Sequence, residues 1–171
     1  MKNPALQDYG TISPFIMVDD IDRQIDFLQS VLNAEVKGNL KNAEGISVHA
    51  EVIIGNSVIM LGRGNTSLPS QPSMNYVFVA DVNSVFKKAL ELGAVSIYEP
   101  DDKFYGIREA GFKDFHNNTW FVAQYLKEIS VEEIEKLLQK NTEFFMHRLC
   151  RNIHTKATPW RNRSTQNFHY S

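Results

Sequence analysis

His49 and Glu51 are the pair of residues whose types and spacing most directly suggest chemistry. They lie two positions apart in residues 47–54, a stretch with the apolar content of a β-strand. Because successive side chains of a strand point to opposite faces, the two residues share one face. An imidazole beside a carboxylate can transfer a proton, hold a metal ion or bind a ligand in a cavity. The alternative is a half-exposed sheet face on which polar and apolar residues simply alternate.

Tyr105 and Arg108 form a second candidate group, within a predicted loop over residues 100–111. A guanidinium presents a planar fork of donors that suits a carboxylate or phosphate on a ligand. Loops at the mouth of a cavity commonly carry binding residues. The alternative is a structural salt bridge from Arg108 to Glu109 or Asp114.

Aromatic residues on predicted strands form the third group, which favours either an apolar stacking pocket or plain core. They are Phe15, Phe78, Phe112, Trp120 and Phe121. His116 falls in a predicted hairpin turn, where we expect it to be exposed. The single cysteine, Cys150, excludes an internal disulfide and a cysteine-cluster metal site.

The elements that must position these residues follow a β-α-β-β-β pattern that occurs twice. In each half a strand is followed by an Asp that caps an amphipathic helix, Asp19 or Asp20 in the first and Asp81 in the second. Asn33 and Gly93 are typical helix stops. The predicted strands are 12–18, 34–40, 47–54 and 57–61, with a hairpin turn at Gly55-Asn56, and then 74–80, 95–98, 111–115 and 119–125.

The two halves align with offsets near 60 residues, which predicts an internal repeat. We therefore expect one two-module domain over residues 10–126. Its modules are predicted at about 12–61 and 74–125, joined by a Gly-, Ser- and Pro-rich linker at 63–73.

The composition of the chain is that of an ordinary globular protein. The chain has 171 residues, 43% apolar and 22% charged, which excludes fibrous, collagen-like and wholly disordered chains. Its longest apolar run, Tyr76–Ala80, is far too short to span a membrane. The net charge of −2 gives no reason to expect nucleic acid. The N-terminus lacks the layout of a secretory signal, so we expect a cytoplasmic protein.

The C-terminal part differs from the rest in charge. A capping box at Ser130–Glu133 predicts a helix over 127–141. Residues 142–171 contain five lysine or arginine residues and a single acidic residue, Glu143. Residues 142–171 are therefore either a basic arm for an acidic partner or a poorly ordered terminus.

Three stretches resemble the vicinal oxygen chelate superfamily of glyoxalases, bleomycin-resistance proteins and extradiol dioxygenases, and within it the PhnB-like branch. They are Val48-His-Ala-Glu-Val with Ile54-Gly-Asn-Ser-Val-Ile-Met-Leu61, then Phe104-Tyr-Gly-Ile-Arg-Glu-Ala-Gly-Phe-Lys-Asp114 leading to Asn118-Thr-Trp120, and Ser130-Val-Glu-Glu-Ile-Glu135. The turn Phe115-His116-Asn117 departs from the Pro-Phe-Gly that such proteins usually carry.

The resemblance implies where a metal site would lie. Metal-using members place ligands seven residues before each helix-capping Asp and on the last strand, positions held here by Ser13, Met74 and Phe121. These side chains cannot supply the imidazole or carboxylate donors that a divalent cation needs. Gln124 would require a register shift, which reverses the faces of a strand. We therefore expect no metal and no cofactor at the usual site.

The resulting expectation is an α+β fold, with tandem β-α-β-β-β modules forming a curved mixed sheet around a cavity and a C-terminal helix. The resemblance implies a homodimer and a small-molecule binding protein of the bleomycin-resistance type. Two alternatives stay open: a metal-dependent lyase, isomerase or dioxygenase with a relocated site built from His49, Glu51, His116 or Gln124, and an interaction protein acting through the basic tail. The expected ligand-binding residues are His49, Glu51, Tyr105, Arg108, Trp120 and Phe121.

Overall fold

The computed structural model describes residues 9–139, which contain eight strands and two helices before residue 129 and a further helix after it. In chain order these are β1 (Phe15–Val18), α1 (Ile21–Leu32), β2 (Glu35–Lys41), β3 (Ser47–Ile54), β4 (Ser57–Arg63), β5 (Met74–Phe78), α2 (Val82–Glu91), β6 (Val95–Asp102), β7 (Ile107–Lys113), β8 (Thr119–Tyr125) and a helix, α3, over 131–139.

The eight strands form two four-stranded sheets of identical topology. The first sheet has the order β1-β4-β3-β2 and the second has the order β5-β8-β7-β6. In each, the first strand pairs parallel with the last strand of its module, and the remaining neighbours pair antiparallel. The predicted α+β class with two β-α-β-β-β modules is confirmed, and the strands are divided between two mixed sheets.

The predicted helix ends are confirmed at both helices. The carboxylate of Asp20 accepts a hydrogen bond from the backbone N–H of Arg23, and α1 ends at Asn33 in the left-handed region with φ 53°. The carboxylate of Asp81 caps α2 in the same way, and Gly93 follows with φ 89°. Short polar side chains and residues that tolerate positive φ thus set the length of each helix.

The second hairpin differs from its prediction. Strand β6 extends to Asp102 and β7 begins at Ile107, so the expected loop over 100–111 shrinks to residues 103–106. The sequence Glu99-Pro100-Asp101 has the composition of a loop. It is accommodated because β6 is an edge strand with two register shifts against β7, where a proline costs no ladder hydrogen bond.

One hydrophobic core joins the two modules. It contains the helix-facing residues of both sheets together with the apolar faces of α1 and α2. Phe27 on α1 makes an edge-to-face contact with Phe112 on β7, with ring centroids 6.3 Å apart. The face of each sheet turned away from this core is called its outer face below.

A buried carboxylate adds a polar link between the modules. Asp114 follows β7 and is 3% exposed. It accepts hydrogen bonds from the side chain of Gln24 on α1 at 3.0 Å and from the indole N–H of Trp120 on β8 at 2.9 Å. The backbone and side-chain amides of Asn118 donate to it as well.

The chain divides into two compact units after Glu128, and α3 belongs to the second unit. The backbone N–H of Glu133 donates to the hydroxyl of Ser130 at 3.2 Å, which confirms the predicted capping box. The helix begins at residue 131, after the cap, rather than at residue 127 as expected. The predicted basic tail, residues 142–171, lies outside the described residues. No helix within residues 9–139 has the length and hydropathy needed to cross a membrane.

Candidate functional site

The outer face of the second sheet carries a buried carboxylate held by two tyrosines. Glu109 on β7 is 9% exposed. The hydroxyl of Tyr76 on β5 donates to its Oε2 at 2.6 Å, and that of Tyr98 on β6 donates to its Oε1 at 2.5 Å. Three strands thus converge on one acidic group, and the two hydrogen bonds fix its orientation.

Four aromatic rings continue from this carboxylate across the sheet. Tyr98 stacks on Phe121 with ring centroids 6.0 Å apart, and Phe121 lies 6.4 Å from Tyr76. Tyr76 in turn contacts Phe78 edge to face at 5.5 Å. Tyr76 and Phe78 keep 47% and 66% of their surface exposed, so this ring set is open to solvent. We call Tyr76, Phe78, Tyr98, Glu109 and Phe121 the carboxylate–aromatic cluster.

Gly111 on β7 lies directly beneath two rings of this cluster. A Cβ atom built at Gly111 would lie 2.8 Å from the ring of Tyr98 and 3.2 Å from that of Phe121. A side chain there would push both rings outward, since contacts this short essentially never occur. The glycine therefore allows the aromatic pair to lie directly on the backbone of β7.

The tyrosines of the cluster are hard to ionise. Burial is the largest cause that raises the pKa of the Tyr76 and Tyr98 hydroxyls above the ordinary value of 10.0, followed by their hydrogen bonds to Glu109. Burial, together with the negative charge of Glu109, also raises the pKa of Tyr105. Tyr76, Tyr98 and Tyr105 are therefore neutral hydrogen-bond donors at physiological pH.

The outer face of the first sheet carries the predicted His49–Glu51 pair. The His49 Nε2 and Glu51 Oε1 atoms are 3.7 Å apart, on side chains that are 32% and 19% exposed. The hydroxyl of Tyr9 donates to Glu51 Oε2 at 2.6 Å, and the ring of Phe15 stacks on His49 with centroids 5.9 Å apart. The prediction that His49 and Glu51 share a face is confirmed.

The same face also holds a cation. The ammonium of Lys37 lies 3.4 Å from the ring centroid of Tyr9 and has no hydrogen-bond partner among residues 9–139. An ammonium over an aromatic face is stabilised by the ring quadrupole. The carboxylate of this face, Glu51, therefore already has a basic neighbour in His49, and Lys37 stands nearby, whereas Glu109 on the second sheet is held by tyrosine hydroxyls.

His49 and Glu109 occupy equivalent positions in the two modules. In the first sheet, His49 pairs with Gly62, which lies two residues after the partner of Phe15 on β4. In the second sheet, Glu109 pairs with Ala123, which lies two residues after the partner of Tyr76 on β8. The first module therefore has an imidazole at the outer-face position where the second has a carboxylate.

Two of the predicted ligand-binding residues have other roles in the structure. Trp120 has no exposed surface and donates to Asp114 on the core side of β8. It therefore cannot contact a ligand, and the expected stacking role is corrected to a core role. The guanidinium of Arg108 is bound by Asp102 and by the side chain of Asn83, so the salt-bridge interpretation fits it, although with a partner other than Glu109 or Asp114.

Tyr105 and Phe121 lie near Glu109, whereas His49 and Glu51 belong to the other sheet. Tyr76, Tyr98 and Glu109 are site residues that the sequence interpretation missed. The detectable signal for Glu109 was its position between Arg108 and the apolar Ala110, which predicts a face opposite to the core. Tyr98 was not detectable, because the bulges of β6 set its direction.

The positions at which the family resemblance implies metal ligands hold a hydroxyl, a thioether and a phenyl ring. Met74 and Phe121 lie on the second sheet, and Ser13 precedes β1. Gln124 accepts a hydrogen bond from the backbone N–H of Val82 at 3.4 Å, on the face opposite to Phe121. His116 Nε2 lies 3.3 Å from the backbone oxygen of Asp20. Within residues 9–139, no three His, Cys, Asp or Glu side chains are grouped so as to hold a metal ion.

A cleft of about 500 Å³ runs along the free edge of β5. Its walls come from both modules: the segment before β1, the β3–β4 turn at residues 55–57, and the residues of β5 including Tyr76 and Phe78. Within the described part of the chain, strand β5 pairs with β8 alone, so the cleft borders the carboxylate–aromatic cluster at an edge strand of the sheet.

Comparison with known proteins gives a family match over residues 10–122, to the Glyoxalase/Bleomycin resistance protein/Dioxygenase superfamily. An uncharacterized protein of Mycobacterium bovis is 28% identical over 142 residues, which cover 77% of this chain and 93% of that protein.

Two solved structures share the fold. TioX from Micromonospora has a TM-score of 0.57 and 20% identity, covering 71% of this chain and all of that one. FosX from Listeria monocytogenes, a fosfomycin resistance protein, has a TM-score of 0.54 and 19% identity, covering 72% and 96%. FosX has also been crystallised with Mn(II).

Proposed function

Because the chain belongs to the glyoxalase/bleomycin resistance/dioxygenase superfamily, we propose that it binds a small organic molecule on the outer face of the second sheet, without the usual metal centre. The observation that carries this proposal is the carboxylate–aromatic cluster, in which Glu109 is held by two tyrosine hydroxyls beside an open set of rings. A few oriented polar groups among aromatic side chains are typical of small-molecule sites.

The chemistry of the donor set argues against the usual metal centre. A hydroxyl, a thioether and a phenyl ring stand at the ligand positions of Ser13, Met74 and Phe121. Neither Gln124 nor His116 faces the carboxylate–aromatic cluster, since both contact the backbone near the start of a helix. His49 and Glu51 supply two donors on the other sheet, which is the observation that keeps a relocated metal site as the second candidate.

We further propose that the chain belongs to the PhnB-like branch and acts as a homodimer. The branch is supported by the stretches around His49 and Tyr105. The dimer is supported by the row of exposed apolar side chains at Met74, Tyr76 and Phe78 on an edge strand, which natural proteins usually cover. A second copy laid on this row would close the open side of the cluster.

Metal analysis of the purified protein separates the two candidates. We expect Mn, Fe, Ni and Zn well below one equivalent per chain after dialysis. Stoichiometric metal that survives dialysis would contradict the proposal. The His49→Ala variant is the matched test of the relocated site, because retained metal in that variant would assign it elsewhere.

A thermal-shift panel tests binding itself. Aromatic and cationic small molecules are expected to raise the melting temperature, because a ligand that binds the folded state stabilises it by mass action. Phe121→Ala should reduce the largest shift, whereas Leu68→Ala, at an exposed residue outside both sheets, should leave it unchanged. A panel in which no compound raises the melting temperature would count against a small-molecule site.

A further inference from the structure

Glu109 is a buried carboxylate without a cationic partner in the described part of the chain. Buried carboxylates are normally paired with a cation, because leaving a charge unpaired away from water is costly. No ion pair to Glu109 forms among residues 9–139, and two cations of its hairpin, Lys103 and Arg108, are paired with other carboxylates. Lys103 is paired with Asp101 at 3.2 Å and Arg108 with Asp102.

The rings beside Glu109 suit a positive charge. The ammonium of Lys103 already lies 4.8 Å from the ring centroid of Tyr98, which shows that this ring accepts a cation over its face. Tyr76 and Phe78 present further ring surface that is open to solvent. Glu109 is the acidic side chain of the carboxylate–aromatic cluster, and the rings around it are uncharged hydrogen-bond donors or hydrocarbon.

Resting on the proposed function, we propose that the ligand of this site is an organic cation, such as a substituted ammonium carrying an aromatic group. Glu109 acts as its counter-ion, and the rings of Tyr76, Phe78 and Phe121 contact its apolar and cationic surface. The first sheet is the poorer site for such a ligand, because Lys37 and His49 stand on its outer face.

Isothermal titration with three probes of similar apolar size tests this inference. The probes are benzyltrimethylammonium, the uncharged 4-tert-butylbenzyl alcohol and the anionic 4-tert-butylbenzoate. The cation should bind at least about tenfold more tightly than the alcohol, as expected for a carboxylate and aromatic faces acting together. Glu109→Gln should abolish that preference. Glu35→Gln, at an exposed carboxylate on β2 of the other module, should retain it.

A second variant makes the test independent of the folding of Glu109→Gln. Phe121→Leu keeps an apolar side chain but removes an aromatic face. It should therefore reduce the affinity for the cation more than the affinity for the alcohol. An alcohol or benzoate that binds as tightly as the cation, or a preference that survives in Glu109→Gln, would overturn the inference while leaving a small-molecule site in place. If none of the three probes binds, the inference is contradicted, and the thermal-shift panel decides the proposed function separately.

Discussion

At the scale of single residues, Glu109 shows why the site was only partly predictable. His49 and Glu51 were detectable because they are polar residues two apart in an apolar strand, and the structure places both on one face. The position of Glu109 beside Ala110 indicates which face it occupies but does not single it out from other charged residues nearby, such as Arg108 and Asp102. Its significance depends on Tyr76, 33 residues away in sequence, which the sheet brings within hydrogen-bond distance.

The raised pKa of the cluster tyrosines predicts alkaline sensitivity. A group whose pKa is raised by folding stabilises the protein below its unfolded pKa, and that stabilisation is lost as the pH rises beyond it. The free energy of unfolding should therefore fall as the pH rises above 10.0, the ordinary pKa of tyrosine. Denaturant titrations at pH 8 and pH 11 measure this loss.

The matched variants are Tyr98→Phe and Tyr125→Phe. Tyr98→Phe should show a smaller loss of stability between the two pH values, because its ionisable hydroxyl is gone. Tyr125 is 62% exposed, so Tyr125→Phe should behave as the unaltered protein does. Equal alkaline losses in all three proteins would contradict the burial of the Tyr98 hydroxyl.

At the scale of elements, local signals predicted the helices well and the second hairpin poorly. The helix ends depend on N-cap hydrogen bonds at Asp20 and Asp81 and on positive φ angles at Asn33 and Gly93. These interactions involve only neighbouring residues, so the sequence alone identifies the helix ends. The extent of β6 depends on its pairing with β7 across two register shifts, which no local pattern encodes. The length of an edge strand that contains proline is therefore difficult to predict from sequence.

Gly111→Ala tests whether the rings of Tyr98 and Phe121 need a residue without a side chain at this position of β7. The added methyl would collide with the rings of Tyr98 and Phe121 and should destabilise the protein by about 1–3 kcal/mol. It should also weaken binding of any ligand found in the panel. Gly38→Ala is the matched control on β2, where an added Cβ meets nothing within 4 Å. Denaturant unfolding that shows equal effects for both variants would contradict the close packing at Gly111.

At the scale of the whole molecule, the two modules are held together by a shared core and by Asp114. The two-module arrangement was predictable because an Asp caps the start of the helix in each module and the two modules have the same strand order. The way in which the modules pack was not, because Gln24 and Asp114 lie 90 residues apart and meet only in the folded chain. The resemblance to a known family supplied the fold class but not this contact.

Asp114→Ala should be strongly destabilising. It would leave the buried donors of Gln24 and Trp120 without an acceptor, at a cost of about 3 kcal/mol or more in the free energy of unfolding. Asp101→Ala, at an exposed position, should change stability by less than about 0.5 kcal/mol. Chemical denaturation measures both, and a loss below about 1 kcal/mol for Asp114→Ala would contradict its role as a shared acceptor.

The proposed homodimer predicts a specific effect of charge on β5. Phe78→Glu should shift the protein from dimer to monomer in sedimentation velocity, because a carboxylate would be buried in the contact. Leu68→Glu places the same charge at an exposed residue outside the sheets and should leave the dimer intact. A Phe78→Glu protein that remains dimeric would move the contact away from this row.

The most direct test of the central claim is an NMR titration of the protein with the tightest-binding compound of the three probes. The small-molecule site is predicted to shift the backbone amide signals of Tyr98, Glu109, Gly111 and Phe121 in a saturable manner, with a common affinity. Signals that shift instead around His49 and Glu51, or at the α1 surface near Arg23, would contradict a ligand site on the outer face of the second sheet.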